Sequence, residues 1–261
     1  MLVILKMGGA AITDKAGYET AKDEVIWKLS SAASQALQID KSLQLIIVHG
    51  AGSFGHPHVI KHGVGSGVRT PKQAFGFCAV RNSCAKLSAA VMMQLLDAGV
   101  PAVLLPTGAV AMQKNKRISS FNLALIKHAL KLGLVPVLRG DMVFDEVLGA
   151  SVCSGDQVVS YLCSKLKVAR AVFATDVDGV FTVDPKKDSK AKILRHIRRA
   201  QISNISGSVT GSNMEDVTGG MKGKLAELSG INCPVFVANA SEPTRITALL
   251  LGRTALSTKI S

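Results

Sequence analysis

The fold is decided by a strand and the glycine-rich turn that follows it in residues 43–56, with the sequence LQLIIVHGAGSFGH. The apolar run Leu43–Val48 predicts a buried strand of the kind that fills parallel sheets. The turn His49–His56 follows at once. Its glycines let backbone N–H groups approach an anion closely, and the N-terminus of the helix expected after it adds a favourable dipole. This segment predicts a phosphate cradle at the carboxyl end of a parallel strand.

Short apolar strands alternate with helical stretches along the rest of the chain. Further strands are predicted at Leu2–Lys6, Pro101–Leu105, Leu134–Leu138, Ala171–Ala174, Pro234–Ala238 and Ala255–Thr258. Helices are predicted at Val25–Leu37, Val80–Leu95, Phe121–Leu132 and Asp156–Leu166, and after Met221 and Pro243. Repeated strand–helix units predict an α/β fold, a three-layer αβα sandwich with a largely parallel sheet, whose ligands bind where the carboxyl ends of the strands meet the loops. Asp184–Lys192 is predicted to be a flexible excursion from this core.

Composition excludes several classes of protein. A hydrophobic fraction of 48% with 19% charged residues excludes a disordered chain, and no apolar run reaches membrane-spanning length. The chain opens on a strand-like run and not on the charged start of a signal peptide. Five cysteines without a C-x-x-C pair favour reduced thiols over a disulfide frame or a zinc site. We therefore expect a cytoplasmic protein that does not bind a membrane.

The net charge of +13 is unevenly distributed. Between Lys41 and Leu96 there is no Asp or Glu, while six lysines and arginines are present, and the three histidines His56, His58 and His62 lie close together. Such a segment attracts anions, which leaves nucleic acid, an anionic membrane face and phosphorylated small molecules as partners, beside a basic surface that only keeps the protein soluble. Aromatic residues make up 4% and form no stacking platform, so nucleic acid is disfavoured.

The pattern Gly50-x-Gly52-x-x-Gly55 also matches the dinucleotide-binding fingerprint. That fingerprint needs an acidic residue about 20 positions later to hold the ribose. The first acidic residue after the turn is Asp97, which leaves only a weak NADP alternative with Arg69 as the 2′-phosphate partner. A phosphate cradle is the better interpretation.

Two histidines bracket this turn and receive different predictions. His49 ends a buried strand and is expected to fix the loop through hydrogen bonds. His56 lies at the far end of the turn, before Pro57, where its ring can face a bound phosphate and donate to it.

Three more glycine motifs follow strands or precede a helix. They are Lys6-Met7-Gly8-Gly9-Ala10, Thr175-Asp176-Val177-Asp178-Gly179-Val180 and Thr218-Gly219-Gly220-Met221-Lys222-Gly223-Lys224. The second is not a calcium loop, because Phe181 and Lys187 occupy the positions that need glycine and glutamate. No Walker A pattern occurs, so any ATP is bound without a P-loop.

Together with Ser154-Gly155-Asp156, these motifs in this order resemble the amino acid kinase family over essentially the whole chain. Within that family, the sequence resembles the group that phosphorylates isopentenyl phosphate, of which the fosfomycin kinases are the nearest neighbours. This closer resemblance rests on His56, supported by Gly140-Asp141 and Asp145. The resemblance implies a homodimeric kinase of isoprenoid biosynthesis, on a mevalonate-type branch. Such a kinase would use ATP, with Mg²⁺ held mainly by the ATP phosphates and no metal site of its own.

The resemblance also implies roles for single residues. Catalysis falls to Lys6, His56, Asp156 and Lys224. Acceptor binding falls to Gly8, Gly9, Lys15, Gly50, Ala51, Gly52, Gly55, His56, Ser154 and Gly155. ATP binding falls to Lys6, Gly8, Lys15, Thr175, Asp176, Asp178, Gly179, Gly220 and Lys224. The chain is expected to be a single domain over residues 1–261, with an acceptor-binding half of about 1–165 and a nucleotide-binding half of about 166–261.

Three positions depart from the family pattern: Ala10 for serine, Ala51 for glycine and Gln157 for aspartate. The two alanines still offer backbone N–H groups. The isoprenoid tail needs an apolar pocket, for which Phe75, Phe77, Val80 and Cys84 are candidates, with ordinary core packing as the alternative. Two other functions stay open, a related small-acid or phosphonate kinase and a basic polyanion-binding protein on a decayed kinase fold.

Overall fold

The computed structural model describes residues 1–14, 16–183, 185, 188, 190–202 and 220–261, without the side chains of residues 220–222, 224 and 225. Lys15, Thr218, Gly219 and residues 184, 186, 187 and 189 of the predicted excursion therefore lie outside the described residues. The strands are β1 Leu2–Met7, β2 Gln44–His49, β3 Ala102–Leu104, β4 Ala111–Lys114, β5 Arg117–Phe121, β6 Val135–Arg139, β7 Asp141–Asp145, β8 Gly149–Cys153, β9 Arg170–Thr175, β10 His196–Ile197, β11 Val235–Asn239 and β12 Thr258–Ile260. The helices are α1 Gly9–Ile12, α2 Asp23–Ile39, α3 His56–His62, α4 Pro71–Asp97, α5 Thr107–Val110, α6 Leu123–Lys131, α7 Gly155–Lys165, α8 Gly220–Ser229 and α9 Pro243–Leu250.

One sheet crosses the molecule in the strand order β10-β12-β11-β9-β1-β2-β6-β3. Neighbours from β11 to β3 are parallel, and β12 runs antiparallel to β11. The largely parallel sheet is as the sequence predicted. Because β1 lies between β2 and β9, the turns that follow these three strands begin side by side.

Helices cover both faces of this sheet, and the alternation of side chains along β1 shows how. Val3, Leu5 and Met7 pack with apolar residues of α2, α4 and α9. Ile4 points the other way and packs with residues of α6, α7 and α8. This period of two is that of a strand buried on both faces. The predicted three-layer αβα arrangement is confirmed.

A second sheet, of order β5-β4-β7-β8, was not predicted from the sequence. Its strands are short and carry polar residues, so they lack the apolar runs that mark the main sheet. Asp145 holds both hairpin turns. It accepts hydrogen bonds of 2.7–3.1 Å from the amides of Asn115, Lys116, Val147 and Leu148 and the hydroxyl of Ser151. Burial alone raises the pKa of Asp145, but these bonds to the charged form outweigh it and hold the pKa well below its usual range.

Several predicted boundaries differ from the observed ones. The largest difference is the start of α4, predicted at Val80 and found at Pro71, because Thr70 caps the helix by accepting the Gln73 amide. The helix predicted from Phe121 begins at Leu123, because Phe121 ends β5. The last strand, predicted over Ala255–Thr258, occupies Thr258–Ile260, because pairing with β11 places Ile260 opposite Val235. None of the described helices has the length and apolar character needed to cross a bilayer.

Candidate active site

The turns after β1 and β2 lie against each other at the carboxyl edge of the sheet. The Gly50 amide donates to the Met7 carbonyl at 2.9 Å. A Cβ on Gly9 would lie 2.6 Å from Gly52 N, and one on Gly50 would lie 2.5 Å from Gly9 N. Side chains at these positions would force the two backbones apart. The predicted glycines therefore come together into one surface of closely spaced amides, suited to an anion.

Helix α7 begins at the same edge. The Gly140 amide donates to the His49 carbonyl at 2.8 Å, and a Cβ on Gly140 would lie 3.2 Å from Gly155 N. Ser154 caps the helix, accepting the Gln157 amide at 3.1 Å. The N-terminus of α7 thus lies beside the glycine turns, as expected for a helix whose dipole favours a bound phosphate.

A buried ion pair lies between β1 and α7. Lys6 Nζ lies 2.9 Å from Asp156 Oδ1, with side chains 6% and 13% exposed. Gly155 lies next to this lysine, and a Cβ there would lie 3.6 Å from Lys6 Cε. Asp156, which was expected to hold Lys6 in place, is thus its ion-pair partner.

The far end of the glycine turn leads directly into α3. His56 is the first residue of that helix and is half-buried. A Cβ on Gly55 would lie 2.5 Å from Ala51 Cβ and 3.6 Å from Cys84 Sγ, so the turn is tightly folded beneath His56. This places His56 on the same turn as Ala51 and Gly52.

Gly52 is the position where the turn depends most on glycine. Its φ is +49°, and a Cβ there would overlap Thr13 Oγ1 and lie 2.7 Å from Gly9 O. Thr13 Oγ1 joins the two turns, donating to Gly9 O at 2.7 Å and accepting the Ser53 amide at 3.0 Å. Thr13 also precedes Lys15, which lies outside the described residues.

Replacing Gly52 by alanine is expected to lower both stability and turnover. The left-handed backbone costs about 1–2 kcal/mol for alanine, and overlap with Thr13 adds to it by separating the turns. Urea unfolding and a coupled ADP-release assay measure the two effects. Gly99→Ala is the matched control, because Gly99 has φ +80° and nothing within 4 Å of the added methyl group. Equal loss of activity in both variants would contradict a specific role for the Gly52 turn.

The predicted nucleotide turn follows β9, next to β1. The Gly8 amide donates to the Ala174 carbonyl at 2.8 Å, which places Thr175 and the turn beside the first glycine motif. Asp178 is engaged by Arg245, whose Nη1 donates to Oδ1 at 2.8 Å. The Asp178 carboxylate thus anchors the turn to α9.

The end of this turn is held from β12. The Val180 amide donates to Thr258 Oγ1 at 2.8 Å, and a Cβ on Gly179 would lie 2.5 Å from that oxygen. Glycine at 179 is therefore required for packing. Asp176 lies between Thr175, which ends β9, and the anchored Asp178.

Gly220 begins α8, which also carries Lys224. The Lys224 side chain lies outside the described residues, so only its place on the helix is known. Glu227 on the same helix forms a two-bond ion pair with Arg117 of β5, with Nη2 donating to Oε2 at 3.1 Å. The hydrogen bonds to Glu227 raise the pKa of Arg117. The pair holds α8 against the second sheet.

His49 is structural, as the sequence predicted. It is fully buried, and its ring nitrogens bond to Gly50 O at 3.0 Å and Ser88 Oγ at 2.9 Å. Burial lowers the pKa of His49 to about 4, so the ring is neutral near pH 7.

Comparison with known proteins identifies the family. Residues 1–239 match the amino acid kinase family. The chain belongs to the amino acid kinase family. It is a phosphotransferase, and the kinase predicted from the sequence is confirmed.

Several similar members of this family are isopentenyl phosphate kinases. The enzyme of Methanothermobacter thermautotrophicus is 37% identical over 100% of this chain and 99% of its own length. That of Methanocaldococcus jannaschii is 33% identical over 97% of this chain and 96% of its own length. A solved isopentenyl phosphate kinase structure superposes with a TM-score of 0.85 at 34% identity, covering both chains fully.

Gln157, which departs from the family pattern, has a structural role in this chain. Its Oε1 accepts from Gln113 Nε2 at 2.7 Å, and its Nε2 donates to the Lys116 carbonyl at 2.8 Å. It therefore fixes α7 to the β4–β5 hairpin. The sequence could not show this, because the hairpin itself was not predicted.

The predicted tail-pocket residues separate into two groups. Val80 and Cys84 are buried in an apolar cluster behind the glycine turn, with Val59, Val64, Met142 and Ala150. Phe77 packs at the edge of the cluster, 5.2 Å from the Phe144 ring centroid. Phe75 is 69% exposed and contacts His62 instead, so the structure does not bring it to this cluster.

Proposed function

We propose that this protein transfers the γ-phosphoryl group of ATP to isopentenyl phosphate, forming isopentenyl diphosphate and ADP in isoprenoid biosynthesis, on a mevalonate-type branch. The observation that carries the proposal is the contact between two glycine turns, one following Lys6 and the other ending at His56. Full-length similarity to enzymes named isopentenyl phosphate kinase supports the same acceptor.

The acceptor phosphate would lie on the amides of the Gly50–Gly55 turn, with His56 donating to it. A phosphate monoester is already ionised near pH 7, since its second pKa is about 6, so no strong base is needed. The difficulty is repulsion between two polyanions that must meet in line. Lys6, paired with Asp156 at 2.9 Å, would neutralise charge on the transferred group.

The nucleotide would occupy the other side of β1, along the turn Thr175–Gly179 and the start of α8. Among the described residues no group of three His, Cys, Asp or Glu side chains could hold a metal ion. Mg²⁺ would be carried mainly by the ATP phosphates, whose charge it screens. Lys15 and Lys224 are proposed to contact these phosphates. In this scheme about residues 1–165 bind the acceptor and about residues 166–261 the nucleotide.

The apolar cluster behind the cradle would hold the isoprenoid tail. Ala51 packs on this cluster, and Cys84 Sγ lies 3.9 Å from the Phe54 carbonyl, so the cluster reaches the phosphate turn. Phe77, Val80 and Cys84 are thus proposed to line the tail site. We further propose a cytoplasmic homodimer that binds neither nucleic acid nor membrane.

A panel of acceptors offered with ATP tests the proposal. We expect isopentenyl phosphate to have at least a tenfold higher kcat/KM than fosfomycin, glutamate, carbamate or UMP, a margin of about 1.4 kcal/mol. Phosphorus NMR should show a diphosphate product. A preference for another acceptor would place the protein elsewhere in the family. Salt-sensitive polyanion binding without ATP turnover would indicate a decayed kinase.

A further inference from the structure

A buried arginine lies beneath the acceptor turn. Arg139 ends β6 directly opposite His49 of β2, and its side chain is 4% exposed. Its Nε donates to Asp141 Oδ2 at 3.0 Å, so its charge is paired in the interior. Its Nη1 donates to Ser88 Oγ at 3.1 Å. Ser88 thus joins Arg139 to the ring of His49.

These contacts form a chain of hydrogen bonds, in which the chemistry of each group decides which atom donates and which accepts. The Gly50 carbonyl can only accept, so His49 Nδ1 carries the proton. The ring is neutral, as shown above, so Nε2 must accept, and the Ser88 hydroxyl donates to it at 2.9 Å. The hydroxyl has a second acceptor within reach, the Cys84 carbonyl at 3.0 Å. That carbonyl also accepts the Ser88 amide within α4, whereas Nε2 has no other donor among the described residues, so the single hydroxyl proton is assigned to Nε2. One chain of donation therefore runs from Arg139 through Ser88 and His49 to Gly50.

The last member of the chain orients an amide of the cradle. A trans peptide is planar, so anchoring the Gly50 carbonyl points the Ala51 N–H the opposite way. Ala51 N would lie 3.4 Å from a Cβ on Gly9 and 3.7 Å from one on Gly140, so it faces the gap between the glycine turns. In the part of the chain that the structure describes, this amide donates to no protein group.

We propose that Arg139 is a positioning residue for the acceptor phosphate: through Ser88 and His49 it holds the Gly50–Ala51 peptide with its N–H facing that phosphate. The proposal rests on the proposed function, which supplies the acceptor. Arg139 acts on the turn only through the hydrogen bonds of Ser88 and His49, and it does not touch the substrate.

Ser88→Ala tests this proposal, because it removes the middle member of the hydrogen-bond chain and keeps the Arg139–Asp141 pair. Loss of the hydroxyl leaves His49 Nε2 without its donor, so we expect KM for isopentenyl phosphate to rise about tenfold. KM for ATP should change less than twofold. Ser30→Ala is the matched control, because this buried hydroxyl has no hydrogen-bond partner among the described residues. It should leave both KM values unchanged.

Nitrogen NMR of the His49 ring gives an independent readout. The wild type should show a neutral ring protonated at Nδ1 between pH 6 and 8, and Ser88→Ala should shift the Nε2 signal. A wild-type ring protonated at Nε2, or equal changes in both KM values, would overturn the proposal. If Ser88→Ala does not fold, Arg139→Lys, which keeps a cation beside Asp141 but lacks the guanidinium fork, should show the same KM split.

Failure of the proposed function remains distinguishable from failure of this inference. A wild type inactive on isopentenyl phosphate would overturn the function alone. Calorimetric titration with inorganic phosphate would then compare wild type and Ser88→Ala, with an affinity about tenfold weaker expected for the variant. Equal affinities would overturn the positioning role.

Discussion

Replacing Lys6 by methionine is expected to lower kcat by about 100- to 1000-fold, the usual loss when a preorganised group that stabilises transition-state charge is removed. The side chain is buried beside Asp156, so its charge acts where little water screens it. Methionine keeps most of the volume and removes the cation. A coupled ADP-release assay at saturating ATP and isopentenyl phosphate measures the change.

Two further variants separate the effect of Lys6→Met on turnover from its effect on the free energy of unfolding. Lys6→Met removes a partner from a buried carboxylate, which costs about 3–5 kcal/mol when such a pair is broken. Adding Asp156→Asn should recover most of that stability in urea unfolding, yet not the turnover. Lys28→Met removes a lysine that is paired with Glu24 on the surface of α2, and it should have no effect on kcat. Turnover of Lys6→Met within tenfold of wild type would rule out the proposed role of Lys6.

His56→Gln is expected to reduce kcat/KM for isopentenyl phosphate by about 10- to 150-fold, because a hydrogen bond to a charged group is worth about 1.5–3 kcal/mol. KM for ATP should change less than threefold, since the nucleotide is proposed to lie across β1 from the acceptor turn. Glutamine keeps a polar side chain of similar size, so the fold should be unaffected, but its flexible amide does not hold a donor in the position of the imidazole N–H. Steady-state kinetics with each substrate varied in turn measure the split.

His128→Gln is the matched control for this substitution. His128 is exposed near the C-terminal end of α6, which precedes β6 and so lies toward the opposite edge of the sheet from the turns. It should leave both KM values unchanged. If His56→Gln raised KM for ATP and not for the acceptor, His56 would belong to the nucleotide side of the site.

Much of the fold could be predicted because its signals are local. The apolar runs of β1, β2 and β9 identify buried parallel strands within a few residues. Parallel strands align their carboxyl ends, so the glycine turns after β1 and β2 were bound to meet at one edge. Lys6 lies near the end of a predicted strand on that edge, whereas the pairing of Asp156 with it is implied only by the resemblance to the kinase family.

The sequence by itself determined the layered α/β fold and the meeting of the glycine turns, because strand periodicity and turn glycines act over short distances. The kinase family followed from the resemblance of its motifs to those of known members. Only the tertiary structure decided the second sheet, the structural role of Gln157 and the support of His49 by Ser88 and Arg139. These depend on hydrogen bonds between polar residues far apart in the chain, such as Arg139 to Ser88 and Gln157 to Gln113. A buried polar side chain needs a partner, but its own sequence neighbourhood does not specify which one, and packing alone brings the two together.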